Sequence, residues 1–327
     1  MKPDVIFYEA FEEEQAALKK YLPAGINAVY TRLAAGEGAC EDQPPARVIS
    51  IRTQSVIPAR WKLDAVLSRT TGYDVVERYL SETGQRIPCG YLPKYCARAV
   101  AEQAMLLWMA LLRRLPRQIE QFKTFNRDGI TGRECSGKSL LVCGVGNIGS
   151  EIHAIGKGLA MRVRGVDIAE KFGDVEYVSL EEGISGADII AVSMNLTSEN
   201  KGLFSQKLLK RAKRGAIFVN VARGELSPCA ELLPLLKEGV LGAAGLDVYN
   251  NEPELGAALR SGRRPQSEEA SAAFEMAAME NVIFTPHNAF NTIESVERKA
   301  EQSARQLEEF FRTGGFIWPV PQFSGEC

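Results

Sequence analysis

The sequence lacks paired cysteine motifs and long apolar runs, and each absence excludes a class of protein. None of its seven cysteines forms a C-x-x-C pair or has a spacing typical of a zinc site. We therefore interpret them as reduced thiols of a cytoplasmic protein and predict no metal. The longest apolar run, around Ala104 to Leu112, is far shorter than the roughly 20 residues that cross a bilayer. The acidic N-terminal stretch lacks the apolar core of a signal peptide, so no membrane partner is expected.

The sequence also lacks a surplus of basic residues. Its formal net charge is -2, with 39 Lys and Arg against 41 Asp and Glu. A chain without excess positive charge cannot neutralise a row of phosphates, so we expect no nucleic-acid partner. With 45% hydrophobic and 24% charged residues over 327 positions, the composition is that of a globular protein with two domains.

Short β-rich runs alternate with helical stretches, which predicts parallel sheets covered by helices on both faces. The predicted strands are Val5–Tyr8, Val48–Ile51, Ala65–Ser68, Leu140–Cys143, Val163–Val166, Ile189–Ser193, Ile217–Val221, Ala243–Leu246 and Val282–Thr285. The predicted helices are Glu12–Leu22, Arg98–Leu115, Ile148–Leu159, Gln206–Ala212, Cys229–Glu238 and Ile293–Thr313. The irregular, polar stretch from Leu115 to Lys138 is expected to be a loop between domains, and 261–280 a helical insertion outside the sheet.

A glycine-rich turn follows the predicted strand Leu140–Cys143 and opens the next helix. Its sequence, Gly144-Val145-Gly146-Asn147-Ile148-Gly149, is a G-x-G-x-x-G motif in the strand–turn–helix context that dinucleotide binding requires. Gly144 permits the tight turn, Gly146 lets a pyrophosphate approach the backbone, and Gly149 allows close packing of helix on strand.

Asp167 stands at the end of the following strand, where a carboxylate binds the adenosine ribose hydroxyls and repels a 2′-phosphate. Ile168 and Ala169 come next, so no arginine is placed to hold that phosphate. The sequence therefore predicts NAD as cofactor.

Reduction of a carbonyl group by such a cofactor needs a proton donor, and the chain has only two histidines. His153 lies inside the helix after the glycine turn and is interpreted as a packing residue. His287 lies just past a predicted strand, where ligands bind in open α/β sheets. Two further strands end in charged groups, with Arg223 after one and Asp247 and Glu252 after the next.

These four ordered motifs resemble the D-isomer-specific 2-hydroxyacid dehydrogenase family over nearly the full chain. The resemblance implies that His287 is the catalytic acid and base, that Glu252 fixes its tautomer, and that Arg223 binds the substrate carboxylate and carbonyl oxygen. It also implies cofactor contacts for Ala222 and, at the nicotinamide carboxamide, for Asp247. Asn147 and Ile148 of the glycine turn are assigned to the cofactor as well.

The N-terminal half is similar to the D-lactate dehydrogenase branch. Ser68-Arg69-Thr70-Thr71-Gly72 resembles the loop whose backbone holds the substrate carboxylate, which implicates Thr71 and Gly72. By the same resemblance, Tyr95 faces the substrate and Phe290 lines the pocket. Two departures stand out: Met194 to Thr197 lack the proline usual there, and Cys96-Ala97 replace Ser-Pro. Because of these departures, acids other than lactate are also candidate substrates.

The family's architecture implies a Rossmann-type cofactor domain, residues 98–289, inserted into a flavodoxin-like substrate domain made of residues 1–97 and 290–327. Their hinge is expected near Cys96 and Ala289. The apolar helix Ala99–Leu112 resembles the family's dimer contact, which implies a homodimer, although burial within one chain also explains its composition.

Several functions stay open from the sequence alone. The leading hypothesis is a D-lactate-like reductase that interconverts a small 2-keto acid and its 2-hydroxy acid. Other family substrates are glyoxylate or hydroxypyruvate, phosphoglycerate, branched 2-keto acids and phosphite. A different class is an NAD-sensing, protein-binding module like the family's transcriptional corepressors.

Asp167 generates a direct prediction about cofactor choice. We expect KM for NADH to be lower than KM for NADPH, because the carboxylate repels a 2′-phosphate. Steady-state reduction of a keto acid with each cofactor measures this difference. A lower KM for NADPH would contradict the prediction.

Overall fold

The computed structural model describes residues 2–37 and 43–321, and these form two compact units. One unit, here called unit 1, comprises the chain up to Cys96 and the segment from Asn291 onward. The other, unit 2, is Ala97–Phe290. Both are parallel α/β folds, as predicted.

Unit 1 is built on a five-stranded parallel sheet of order β2-β1-β3-β4-β5, the flavodoxin-like order. Three helices, α1, α2 and α11, belong to this unit. The elements are β1 Val5–Phe7, α1 Glu12–Tyr21, β2 Ala28–Tyr30, β3 Val48–Ile51, β4 Ala65–Ser68, α2 Asp74–Thr83, β5 Cys89–Gly90 and α11 Ile293–Thr313.

Unit 2 contains a seven-stranded parallel sheet of order β12-β11-β10-β9-β6-β7-β8. The chain enters at the interior strand β6, proceeds outward through β7 and β8, and then crosses to β9 on the other side of β6. This change in strand order is the Rossmann arrangement. The strands are β6 Ser139–Cys143, β7 Arg162–Val166, β8 Glu176–Tyr177, β9 Ile189–Val192, β10 Ala216–Asn220, β11 Leu241–Leu246 and β12 Val282–Phe284. The helices are α3 Ala97–Leu112, α4 Leu115–Phe122, α5 Asn147–Gly158, α6 Leu180–Gly186, α7 Gln206–Leu209, α8 Cys229–Lys237, α9 Glu252–Ser261 and α10 Glu268–Ala277.

The core of unit 2 explains why its strands read as continuous apolar runs. All four residues of β9 and all five of β10 are buried, because helices cover both faces of a parallel sheet. Phe204 and Phe218 meet edge to face with ring centroids 5.4 Å apart. The five cysteines within the described residues are buried thiols, whereas Cys40 and Cys327 lie outside them.

Two local predictions are wrong. The helix predicted over Arg98–Leu115 ends at Leu112, because Arg114 adopts the left-handed conformation with φ 52° and starts a new helix with a proline in its first turn. Part of the stretch predicted as a loop, Leu115–Phe122, is therefore α4. The second error concerns 261–280, which holds the predicted helix, α10. That helix belongs to the core, since it packs on α8 and β12 and buries Ala272, Ala273 and Met276.

Three short strands and several helices had no counterpart in the predictions. The strands β2, β5 and β8 have two or three residues each, too few for a period-two pattern to be recognised.

In the described ranges, no helix combines the length and apolar character that spanning a membrane would need.

Candidate active site

The glycine turn of unit 2 is shaped by close backbone approaches. Gly144 has φ 92°, and a Cβ there would lie 2.5 Å from the backbone nitrogen of Met194. A Cβ on Gly149 would lie 2.0 Å from the carbonyl oxygen of Gly144. That same oxygen accepts a hydrogen bond from Ser193 Oγ at 2.8 Å. Two of the three motif glycines are therefore required by packing alone.

Gly146 differs from the other two, because a Cβ built on it meets no atom within 4 Å. Gly146 and Asn147 are exposed at the N-terminus of α5, and Ile148 is half-buried. Gly146 is the N-cap of α5 and provides no side-chain cap. The first N–H groups of this twelve-residue helix therefore lie beside open space, the arrangement that accommodates a pyrophosphate.

Asp167 follows β7 and is linked to the glycine turn. Its Oδ2 accepts a hydrogen bond from the backbone N–H of Val145 at 2.6 Å, and its Oδ1 accepts one from Ala169 at 3.0 Å. The carboxylate is half-buried and lies at the carboxyl edge of the sheet beside the turn. The residues present therefore fit a dinucleotide whose phosphates lie at the turn and whose ribose lies at Asp167.

His287 and Glu252 form a hydrogen-bonded pair in unit 2. The Nδ1 atom of His287 lies 2.9 Å from both carboxylate oxygens of Glu252. Their side chains are 22% and 23% exposed, so each is accessible at one side while the hydrogen bond is shielded. With Nδ1 engaged by Glu252, Nε2 is the ring nitrogen that can exchange a proton with a substrate.

Strand register brings these residues to one edge. Asn220, the last residue of β10, pairs with Leu246 of β11, which pairs with Phe284 of β12. Arg223, Glu252 and His287 each follow one of these three strands. Their loops therefore leave the sheet side by side.

Asp247 holds the loop that carries His287. Its carboxylate accepts hydrogen bonds from Thr285 Oγ1 at 2.5 Å and from the backbone N–H groups of Asn288 and Ala289 at 2.9 and 2.8 Å. Burial raises the pKa of Asp247, and these hydrogen bonds partly offset the rise. The residue is 1% exposed. Its predicted contact with the nicotinamide carboxamide stays a prediction, and its contacts here position the His287 loop.

Arg223 is positioned by Asn220, a contribution that the sequence analysis missed. The Asn220 side chain is buried, donates to the carbonyl of Arg223 at 2.9 Å and accepts from the N–H of Ala222 at 2.9 Å. A Cβ on Gly224 would lie 1.9 Å from the carbonyl carbon of Tyr249, so the Arg223 loop contacts the segment leading into Glu252. A polar residue at the end of an apolar strand was the signal available in the sequence.

Tyr249 joins the two remaining loops. Its hydroxyl lies 3.0 Å from the carbonyl oxygen of Leu246 and 2.8 Å from that of Thr285. Its backbone N–H donates to Glu252 Oε1 at 3.2 Å. The carboxylate that binds His287 is therefore itself oriented by the backbone.

The predicted substrate residues Thr71, Gly72 and Tyr95 lie in unit 1. Thr71 and Gly72 follow β4 in a turn where the Thr70 hydroxyl donates to the carbonyl of Gly72 at 2.5 Å. The Tyr95 side chain is buried, and burial raises its pKa well above the ordinary value. Phe290, half-buried, is the last residue of unit 2. His153, interpreted as a packing residue, is 4% exposed in α5.

We searched the described residues for side chains that could bind a metal ion. Within residues 2–37 and 43–321, no group of three or more His, Cys, Asp and Glu side chains could hold a metal ion. The polar groups at the sheet edge are instead a histidine–carboxylate pair, a guanidinium and a dinucleotide turn.

Comparisons with known proteins agree with this fold. The family model described as D-isomer specific 2-hydroxyacid dehydrogenase, NAD binding domain, matches residues 105–289. A D-lactate dehydrogenase of Escherichia coli (strain K12) is 33% identical over 223 residues, which cover 66% of this chain and 67% of that protein. A glyoxylate reductase of Pyrococcus furiosus is 30% identical over 274 residues, covering 79% and 76%.

Solved structures share the fold over nearly the whole chain. A D-lactate dehydrogenase from Aquifex aeolicus, solved with NAD and lactic acid, superposes with a TM-score of 0.84 at 25% identity, covering 97% of this chain and 100% of that one. A D-2-hydroxyisocaproate dehydrogenase superposes with a TM-score of 0.80 at 23% identity, covering 97% and 99%, and this likeness concerns the fold alone.

Fold and site together define an NAD-dependent oxidoreductase of 2-hydroxy and 2-keto acids. The chain belongs to the D-isomer specific 2-hydroxyacid dehydrogenase family. The predicted family, cofactor and enzyme class are confirmed.

The glycine turn generates a prediction that separates binding from folding. Gly146→Ala should weaken NADH binding about tenfold or more, because the added methyl occupies the space that a pyrophosphate needs. The thermal midpoint should stay within about 2 °C of wild type, since no protein atom is displaced. Fluorescence titration with NADH and a thermal melt measure the two effects.

Gly149→Ala is the matched variant, since its methyl collides with the carbonyl of Gly144. It should lower both NADH affinity and thermal stability. Wild-type NADH affinity in Gly146→Ala would contradict the placement of the pyrophosphate at this turn.

Proposed function

We propose that the chain reduces a small 2-keto acid of the pyruvate type to its D-2-hydroxy acid. The observation that carries the proposal is the His287–Glu252 pair, set beside Arg223 at the edge of an NAD-binding sheet. The likeness to the E. coli and Aquifex D-lactate dehydrogenases supports a substrate of this size.

Glyoxylate is the second candidate substrate. The relative from Pyrococcus furiosus is a glyoxylate reductase, and it covers more of this chain than the E. coli protein does. Met194 also contacts the glycine turn, at a position where the sequence departs from the usual proline. This change alters the wall near the cofactor and supports testing acids other than pyruvate.

In the proposed mechanism, bound NADH supplies the hydride to the carbonyl carbon of the keto acid. His287 donates a proton from Nε2 to the carbonyl oxygen, and Glu252 stabilises the protonated ring through Nδ1. Arg223 binds the substrate carboxylate and polarises the carbonyl, since its planar, permanently charged fork suits both oxygens. In the reverse direction, neutral His287 accepts the hydroxyl proton.

Unit 1 is proposed as the substrate domain, in keeping with the predicted boundaries 1–97 and 290–327. In this proposal the backbone of Thr71 and Gly72 binds the carboxylate, and Tyr95 and Phe290 determine which side chain is accepted. On the cofactor side, Asn147, Ile148 and Ala222 contact NAD, and Asp247 remains assigned to its carboxamide end.

A panel of keto acids with NADH, read at the absorbance of the reduced cofactor, tests the proposed substrate. We expect pyruvate or glyoxylate to give the highest kcat/KM. His287→Gln should bind NADH normally and slow turnover by about two to four powers of ten, because no other group delivers the proton. Arg223→Lys should raise KM for the keto acid, since an ammonium cannot reproduce the fork.

Tight binding of NADH without turnover of any acid would instead favour an NAD-sensing role. Unchanged turnover in His287→Gln would remove that residue from the mechanism.

We further propose a homodimer formed through α4. The helix α3, first predicted as the dimer contact, buries nine of its sixteen residues and packs within unit 2 against α5, β10 and β11. Large apolar side chains are instead exposed along and just after α4, at a spacing that places them on one helix face. They are Leu115 (40%), Ile119 (63%), Phe122 (75%) and Phe125 (76%). A two-fold contact would bury such a stripe against its own copy.

Light scattering after gel filtration measures the assembly state. Wild type should run as a dimer and Phe122→Asp as a monomer, because a charge in an apolar contact opposes association. Glu120→Gln, on the same helix, is a control that should remain dimeric. A monomeric wild type would contradict the dimer.

The cytoplasm is the proposed location, supported by the buried thiols at Cys89, Cys96, Cys135, Cys143 and Cys229. The small net charge supports the absence of a nucleic-acid partner.

A further inference from the structure

Three charged side chains are fully buried together in unit 1, and the mechanism above uses none of them. Glu14 lies on α1, Arg69 follows β4, and Lys299 lies on α11. The side chains of all three are 0% exposed. Glu14 Oε1 lies 3.0 Å from Arg69 Nε and 2.9 Å from Lys299 Nζ. Two cations therefore share one carboxylate oxygen in the interior, where a charge without an equal partner is costly.

Arg69 is the member that the fold needs. Its guanidinium donates to Ser50 Oγ at 3.0 Å and to the carbonyl of Tyr8 at 2.6 Å, which links the ends of β1, β3 and β4. With Glu14 it makes a balanced pair. Lys299 is the additional charge, and removing it would leave that pair intact.

Lys299 contacts the elements assigned to the substrate. Its Nζ lies 5.7 Å from the ring centroid of Tyr95, within the range of a cation–π interaction. The neighbouring Arg298 donates from Nε to the Tyr95 carbonyl at 2.8 Å. Arg69, which shares Glu14 with Lys299, lies directly before the Thr70-Thr71-Gly72 turn. The cluster thus adjoins both Tyr95 and the proposed carboxylate loop.

Among these groups, only Lys299 can change its charge near neutral pH. Arginine does not lose its proton in proteins. Burial raises the pKa of Glu14, but the charges of Arg69 and Lys299 outweigh burial and bring it to about 2. Burial lowers the pKa of Lys299, the charge of Arg52 lowers it further, and Glu14 only partly opposes them, so that it falls to about 7.

Arg52 and two aromatic rings also face Lys299. Arg52, after β3, lies over the Phe11 ring at 4.7 Å. Lys299 Nζ lies 5.6 Å from the same ring. Burial keeps the pKa of Tyr95 well above its ordinary value, so its hydroxyl remains neutral.

We propose that Lys299 is a positioning residue for the 2-keto acid: in its charged form it holds the ring of Tyr95 and adds positive potential at the carboxylate loop. Release of its proton weakens substrate binding. Lys299 does not touch the substrate, because its side chain is fully buried. This inference rests on the proposed role of unit 1 as the substrate domain.

The test compares KM for the keto acid in wild type, Lys299→Met and Lys299→Arg at saturating NADH, from about pH 5.5 to about pH 9. Methionine has a similar length without charge, and arginine keeps the charge over the whole range. The three enzymes differ only at residue 299, so the ratio of their KM values isolates the effect of that side chain. The kcat values should stay similar, since the proton donor is unchanged.

We expect KM of Lys299→Met to exceed that of wild type about tenfold at the acid end, and the ratio to approach one above about pH 8. Lys299→Arg should retain a low KM at the alkaline end. Lys20→Met is the matched control, because Lys20 also joins α1 to α11, through an exposed ion pair with Glu297 of 2.8 Å. Its KM should follow wild type at every pH. A ratio for Lys299→Met that does not change with pH would overturn the proposal.

A second measurement, urea unfolding without substrate, tests the buried lysine directly. The unfolded chain holds this proton up to the ordinary pKa of 10.5, whereas the folded chain releases it at about 7. The free energy of unfolding should therefore increase as the pH is raised from about 7 to 10.5, and this group should make it no further pH-dependent below about 7. Lys299→Met should lack this rise, and its presence in that variant would contradict the titration of Lys299.

The two measurements separate the possible failures. A merely structural lysine would give the rise in stability but a constant KM ratio, and that result overturns the role of Lys299 alone. Turnover of no keto acid by wild type would overturn the proposed function and the role of Lys299 with it.

Discussion

The hydrogen bonds of the Asp247 carboxylate hold the geometry of the sheet edge in unit 2 at which Arg223, Glu252 and His287 lie. One buried carboxylate collects a hydroxyl and two backbone N–H groups from residues 285 to 289. These contacts hold His287 in the left-handed backbone region, with φ 51°. A residue other than glycine adopts that conformation only where surrounding contacts determine it, at a cost of about 1–3 kcal/mol. Asp247, directly after β11, thus fixes the backbone that carries His287, and Glu252 contacts the ring through Nδ1.

The two units organise their sheet edges by different physical means. In unit 2, side-chain hydrogen bonds to the backbone dominate: Asn220 fixes the Arg223 loop, the Asp247 carboxylate fixes the His287 loop, and the Tyr249 hydroxyl bridges two strand ends. In unit 1, the corresponding strand ends are joined by the buried charges of Arg69 and Glu14. The Arg69–Glu14 pair shares its carboxylate with Lys299, so a change in the charge of Lys299 near neutral pH alters the electrostatics of the unit 1 edge.

Much of the fold could be predicted because parallel strands are buried on both faces and read as apolar runs. The bounds of Val48–Ile51, Ala65–Ser68 and Ile293–Thr313 were predicted to the residue. The Ile293–Thr313 helix begins where the Thr292 hydroxyl accepts from the N–H of Ser295 and ends at Gly314 with φ 81°. The helix over Leu115–Phe122 was missed, because its apolar face is exposed and its start depends on a left-handed Arg114.

For the site, the sequence showed which residue types follow the predicted strands. The register of β10, β11 and β12 then showed that these residues lie next to one another. The glycine turn could be recognised from its spacing: packing requires Gly144 and Gly149, and Gly146 leaves space for a pyrophosphate. The contributions of Tyr249 and Ser193 could not be foreseen, since a side chain's hydrogen-bond partner depends on distances between segments remote in sequence. The burial of Lys299 could not be predicted for the same reason. In the sequence of a polar helix, a buried lysine cannot be distinguished from a surface lysine.

The symmetric contact between His287 and Glu252 has a consequence for how the imidazole behaves over time. Because Nδ1 lies 2.9 Å from both carboxylate oxygens, a half-turn of the carboxylate about its terminal bond exchanges two equivalent acceptors and restores the same contact. The direction of the ring therefore does not depend on which oxygen takes which place. An imidazole held in this way can accept and release a proton repeatedly without reorientation of its ring.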